Sequence, residues 1–239
     1  LAAHALPDTT ELAFLERYKG RIPENVFTEL YKAPVTNGSG KDRKNLSKAK
    51  NILKDAGFVM GEDKILYNPD TNAKLKFEIL AVSPLMERWT LPFIKNLKRI
   101  GVEANFRIID PAQYQNRVNA FDYDMIIGTI AQSESPGNEQ RDFWASDKAD
   151  MQGSRNYIGV KSPVIDEIIE EIIQAPSRAD LVARTRALDR ILLANHYVVP
   201  QWYLNKWRIA YWATLGHPEG LSPHTPGFTD LWWSKTGAQ

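Results

Sequence analysis

There is no cysteine among the 239 residues. That absence excludes disulfides, thiolate metal sites and cysteine nucleophiles, and it suits a reducing or an oxidising compartment equally. Long apolar runs are missing too, since no stretch approaches the roughly 20 residues that span a bilayer as a helix. Nor is there an excess of one charge sign. Lys and Arg total 30 against 29 Asp and Glu, a formal net charge of +1. No general basic surface therefore favours nucleic acid as a partner. The first residues, Leu1-Ala2-Ala3-His4-Ala5, lack a basic segment followed by an apolar core. The expectation is that any export signal was removed or lies upstream of this piece.

Catalytic signatures are equally scarce. The chain has no G-x-S-x-G elbow, no phosphate-binding P-loop and no dinucleotide glycine fingerprint. His4, His196, His217 and His224 show no metal-ligand spacing, so neither metal nor cofactor is expected. Two carboxylate pairs, Asp122/Asp124 and Glu170/Glu171, stand where solvation is the simpler role. The first flanks the start of an apolar run. The second sits on the polar side of an isoleucine-striped helix.

What is present is a composition ordinary for a soluble globular protein: 43% hydrophobic and 25% charged residues. The length admits one large or two small domains. Pro7, Pro23 and Pro34 punctuate a first stretch of forty residues that reads as irregular. Leu46, Ala49, Leu53 and Ala56 then recur at helical spacing from about Asp42, with Gly57 as the stop. From Leu75 to Ala131 the pattern alternates β-α-β-α-β. Leu75–Val82 and Val102–Ile109 have strand composition, and the helix between them carries Pro92 as a kink or a break. Asp110-Pro111 opens a shorter helix with Tyr114 and Val118 on one side. Asp124–Ala131 is almost continuously apolar, which predicts a buried, central, parallel strand. Ser162-Pro163 and Ser177 cap two further helices. The first bears the stripe Ile165, Ile168, Ile169, Ile172 and Ile173; the second sends Leu181, Leu188, Ile191 and Leu192 inward. Tyr197–Tyr203 and Trp207–Ala213 read as two strands before a Pro- and Gly-rich tail. Five of the seven tryptophans fall between Trp202 and Trp233, so this segment needs a large surface to pack on.

The polar segment Gln132–Asp142 follows directly on the apolar run. Open α/β sheets bind ligands at the carboxyl ends of their strands, and this loop is dense in donors and acceptors. Gln132, Glu134, Ser135 and Asn138 are its candidate ligand-binding residues. A second polar cluster, Gly153–Tyr157, adds Arg155 and Asn156. Arg155 suits a carboxylate or phosphate because its planar fork bonds in a bidentate manner.

In order, the chain carries Ala49–Gly57, Leu97-Lys98-Arg99-Ile100-Gly101-Val102, Phe121-Asp122-Tyr123-Asp124-Met125, a polar loop with Ser135-Pro136, and Ser162-Pro163-Val164-Ile165-Asp166. This series resembles the C-terminal half of the family 5 extracellular solute-binding proteins, the peptide and nickel binders of ABC importers. Asp110–Arg117, Ser135–Asp142, Pro200-Gln201-Trp202-Tyr203 and Trp232-Trp233 are similar to its Yej-type branch, associated with oligopeptides and the peptide-nucleotide microcin C.

The resemblance implies a periplasmic-binding-protein-like type II lobe, with a mainly parallel sheet flanked by helices and an aromatic C-terminal return segment. Residues 1–199 are then expected to form most of the second of two lobes. Residues 200–239 form the hinge and the return to a first lobe absent from this chain. The implied partners are a peptide or peptide-like ligand, that missing N-terminal lobe and the membrane permease of an ABC importer, in the periplasm, with no catalysis. A periplasmic hydrolase acting on peptides and a binder of nickel complexes are the competing readings. There is one departure. Oligopeptide binders typically place an Asp in this loop to meet the ligand's α-amino group, and alignment on Pro136 puts Ser135 there, with Glu134 adjacent.

Overall fold

In the computed structural model, residues 1–40, 42–202, 208–220, 227–228 and 230–235 are described. The chain divides into two units, Leu1–Val198 and Val199–Gln239. In the first unit the segment expected to be irregular holds two helices, α1 (Thr9–Glu16) and α2 (Asn25–Thr28). Asp8 caps α1 by accepting the Glu11 N–H at 2.9 Å, and Pro7 ends immediately before the cap rather than breaking a helix. Phe14, Leu15 and Tyr18 are buried beneath it. Next come α3 (Arg43–Asp55), capped by Asp42, and a short antiparallel ribbon of β1 (Val59–Met60) and β2 (Leu66–Tyr67).

The sheet follows: β3 (Lys76–Ala81), then a 3-10 turn at Pro84–Met86 leading into α4 (Glu87–Arg99), then β4 (Glu103–Ile108). Helix α4 runs through Pro92 without ending. Gly101 closes it at φ +87°, where any side chain would press on Met60 and Leu66 within 2.9 Å. Asp110 caps α5 (Pro111–Asn119) by accepting from Ala112 and Gln113, both at 3.0 Å. The chain then returns as β5 (Met125–Ile126). The strand order is β4-β3-β5, both pairs parallel.

This corrects one expectation. The continuous apolar run is not the central strand: β5 has two residues, lies at the edge and is half-buried, as is Ile127. The centre belongs to β3, whose Ile79, Leu80 and Ala81 are buried one after another because elements cover both faces. Before β5, Asp124 accepts the Glu78 N–H at 2.8 Å in place of a ladder bond. Beyond it the chain turns away, and Ile130 packs on the helical core.

That core is built by α6 (Glu139–Trp144), α7 (Pro163–Ile173), α8 (Arg178–Ala194) and α1. The isoleucine stripe lies at its middle, with Ile165, Ile168, Ile169 and Ile172 at most 1% exposed. Each contributes roughly 1.5–3 kcal/mol by leaving water. A separate cluster joins Leu46, Ala49 and Leu53 of α3 to Leu66, Ile100 and Val102.

The second unit holds an antiparallel pair, β6 (Leu215–Gly216) with β7 (Trp233–Ser234). Gly216 is required there, since a Cβ would come within 2.6 Å of the Trp233 indole. Tyr211, His217, Phe228 and Trp232 form a ring cluster with centroids 4.8 to 5.4 Å apart. The Pro218 carbonyl can only accept, so His217 Nδ1 donates to it at 2.9 Å. The two strands expected from the sequence are absent among the described residues of 197–213, and Tyr203 to Trp207 lie outside them. His224 lies outside them as well.

Candidate ligand-binding site

Because β3 and β5 are parallel neighbours, the turn after β3 and the loop after β5 leave the same edge of the sheet. The first forms a shallow apolar groove of about 520 Å³ with Pro84, Leu85, Leu91 and Pro92, flanked by Glu87 and Arg88. Leu85 is 77% exposed there. The second leads, after residues 127–131, into the polar loop, residues 132–138.

Few of that loop's residues are buried, yet it is pinned at several points. Gln132 Oε1 accepts from Gln140 Nε2 at 2.7 Å, and Gln140 is buried. Arg178, the first residue of α8, donates from Nη1 to the Glu134 carbonyl, and the same nitrogen lies 3.5 Å from the Ser135 hydroxyl. The Glu139 carboxylate accepts the Gly137 N–H at 3.0 Å. Asn138 Oδ1 accepts from Arg141 at 2.8 Å, and Arg141 in turn grips Glu170 with two bonds of 2.6 Å. Loop and helical core are thus joined by side chains, while Gln132, Glu134, Ser135 and Asn138 remain exposed.

The second cluster splits. Arg155 is exposed, its Nε 3.6 Å from Asp142 and its guanidinium 5.7 Å from the Phe143 ring centroid. Asn156 is 0% exposed. Its Nδ2 donates to the Ala145 and Val160 carbonyls at 3.0 and 2.9 Å, and its Oδ1 accepts the Val160 N–H at 2.9 Å. Its groups tie the 145–160 loop shut, and they do so away from solvent.

The carboxylate pairs have structural partners. The Glu170 carboxyl is held below the usual range by the hydrogen bond from Arg141, and Glu171 by that from Arg17. Both are ionised at neutral pH and unsuited to donate a proton. Asp122 accepts from Arg117 at 2.9 Å, and Arg117 also reaches Glu78 at 3.2 Å. With Arg107 they line a polar cleft of about 460 Å³, where Glu78 pairs with both arginines, Asp122 pairs with Arg117, and Asp124 adds a third carboxylate. Beside it, burial pushes the Tyr123 hydroxyl up to about 12, and it donates to the Tyr157 carbonyl at 2.7 Å. Among the described residues no three His, Asp or Glu side chains converge as a metal site.

Trp144 and Arg178 were not among the residues expected at the site, and Gln140 and Arg141 lay in the expected polar segment without being singled out. One signal was available. Gln140 and Trp144 stand at i, i+4 on a helix opening directly after the polar loop, a spacing that brings their side chains together. Arg178 gave none, because it meets the loop from 44 positions away.

A parallel sheet between helices, with a rigid polar loop at its carboxyl edge, is the architecture of a type II periplasmic-binding-protein lobe. Solved structures that share this fold include the following two. The oligopeptide-binding protein AppA from Bacillus subtilis, in complex with a nonapeptide, aligns with 74% of this chain and 34% of its own (TM-score 0.57, 19% identity). A periplasmic oligopeptide-binding protein from Thermotoga maritima with bound mannohexaose aligns with 87% and 43% (TM-score 0.58, 18% identity). Those two ligands differ chemically, so the fold alone does not choose one. Residues 16–152 match the family described as bacterial extracellular solute-binding proteins, family 5 Middle, and the chain belongs to that family. A probable peptide-binding protein YejA of Agrobacterium fabrum is 45% identical over 234 residues. Those residues are 98% of this chain but 38% of that relative, so the chain spans little more than a third of the relative's length.

Proposed function

We propose that this chain supplies one wall of a solute site that captures peptides or peptide-like conjugates in the periplasm and hands them to an ABC permease. Residues 1–199 form most of one lobe in this reading, and 200–239 the return segment toward a partner lobe. The observation that carries it is the loop 132–138. Its backbone, its flanks and the Gln132 and Asn138 side-chain oxygens are clamped by Arg178, Glu139, Gln140 and Arg141, while Gln132, Glu134, Ser135 and Asn138 stay exposed. Holding side chains rigid before a ligand arrives reduces the ordering entropy of binding. An apolar groove on the same sheet edge adds contact for a ligand of alternating polarity, as a peptide is. The name of the Agrobacterium relative, a probable peptide-binding protein, supports the same class.

The test is mass spectrometry of small molecules released when the purified protein is denatured, followed by calorimetry with the compounds found. Intact peptides or peptide conjugates support the reading. Recovery of sugars or nickel complexes with no peptide overturns it, and turnover of an added peptide would favour a hydrolase instead.

A further inference from the structure

The hydrogen bonds behind the loop have a fixed direction. An indole N–H can only donate. Trp144 Nε1 lies 3.2 Å from Gln140 Oε1, so that oxygen accepts and the Gln140 amide is oriented. Its Nε2 must then face the other way, and it donates to Gln132 Oε1 at 2.7 Å, with a longer contact to Glu139 Oε1 at 3.3 Å. Gln132 therefore spends its acceptor inward. Its Nε2 has no partner among the described residues, on a side chain that is exposed. The chain Trp144–Gln140–Gln132 begins on the buried face of α6, where Trp144 is 7% and Gln140 3% exposed. Turning the inner amide over would set a donor against a donor and leave buried polar atoms unpaired, which holds the amide in the observed direction.

We infer that Gln132 is a specificity-determining residue of the ligand site: it presents an amide N–H donor that reads a carbonyl or carboxylate oxygen of the ligand. Gln140 and Trp144 are positioning residues that set the direction of that amide. The inference rests on the peptide reading above, and it deepens it by naming which polarity of ligand group this point of the loop accepts. An ammonium group placed here meets a donor and is disfavoured. A peptide carbonyl is matched.

The experiment is calorimetry of the full chain with tetra-alanine and with three analogues, each having one of the three peptide carbonyls replaced by a thiocarbonyl, which stays neutral and accepts a hydrogen bond poorly. Wild type should lose about three- to tenfold in affinity for one analogue, the cost of one neutral hydrogen bond. Gln132→Ala should lose the same factor for tetra-alanine and no more for that analogue. Gln140→Glu is the test of direction. Its carboxylate still accepts from Trp144, but it now accepts toward position 132 as well, so Gln132 turns and shows its oxygen to the ligand. Tetra-alanine binding should weaken by about tenfold or more. It should recover as pH falls, because burial and the neighbouring Glu139 raise the new carboxyl's pKa and its protonated form donates once more. A merely structural lesion gives no such recovery. Should Gln140→Glu fail to fold, Gln132→Glu, on an exposed position, removes the same donor and must show the same loss. Tetra-alanine bound equally by wild type, Gln132→Ala and Gln132→Glu overturns the donor assignment and leaves the peptide reading standing. A wild-type chain that binds no peptide at all, while binding another class of solute, overturns the peptide reading first and this inference with it.

Discussion

The Glu11 carboxylate and the Arg190 guanidinium meet inside the protein, their side chains 1% and 5% exposed, and so bind α1 to α8. Arg190 Nη2 also donates to the Ala5 carbonyl, while Nη1 has no hydrogen-bond partner among the described residues. Removing one member leaves the other charge buried and unpaired, the costly case for an ion pair in a low-dielectric interior.

Glu11→Ala should accordingly destabilise the chain by about 3–5 kcal/mol in urea unfolding. Replacing both partners with apolar residues of similar volume should restore much of the loss. A single variant as stable as wild type would show that water reaches Arg190 and that the pair is not sealed.

Acid unfolding tests a second pairing. The hydrogen bond from Arg141 keeps the folded Glu170 pKa below its unfolded value. A depressed carboxylate contributes stability above the unfolded pKa, near 4.3, and loses it as pH falls through the folded one. Glu170→Gln should flatten the stability–pH curve below about pH 4.3 and leave its shape near neutrality unchanged. The effect is small, because the pair is solvent-screened, and 1 M salt should shrink it further. An unchanged acid limb would mean that Arg141 favours Asn138 alone.

Much of the fold was legible because periodicity and caps act locally. Asp42, Asp110, Ser162 and Ser177 each stand at the helix starts that the sequence marks. The short α1 escaped notice among prolines, although Asp8 followed by Glu11 has the spacing of a capping pair. The misplaced central strand has a different origin. Composition reports that Ile126 and Ile127 prefer an apolar neighbour, but not where the neighbour comes from. Ile79 to Ala81 have the same preference and receive the cover. At the site, the loop was legible from its position after an apolar run. Of its supports, Gln140 carried only the i, i+4 spacing to Trp144, and Arg178 carried no local signal because it meets the loop from 44 positions away.

Arg178 gives that distinction a measurement. Its Nη1 holds the Glu134 carbonyl from the start of α8, on the exposed surface. Arg178→Ala removes a charge-assisted bond of about 1.5–3 kcal/mol at most. Backbone amides of residues 133–138 should then exchange with deuterium roughly ten times faster, while those of Ile165 to Ile172 keep their protection. Lysine at 178 should restore part of it. Uniformly faster exchange would place Arg178 in the stability of the core instead.

Arg155 carries the last prediction. Its guanidinium is oriented by Asp142 at 3.6 Å and by the Phe143 ring, yet the side chain remains 59% exposed. An arginine steered in this way has N–H groups left for a second partner, and its planar fork favours a carboxylate. We propose that partner to be the free carboxyl end of a peptide-like ligand. A charge-assisted bond contributes roughly 1.5–3 kcal/mol, so Arg155→Ala should weaken binding of a tetrapeptide about ten- to a hundredfold. The same peptide with an amidated C-terminus should bind wild type and variant alike. Arg155→Lys should fall between them, because it keeps the charge and loses the fork. Asp142→Asn should tighten binding of the free acid, since it removes the competing carboxylate. Should alanine at 155 weaken the acid and the amide by the same factor, the arginine shapes the loop and does not touch the ligand's carboxyl end.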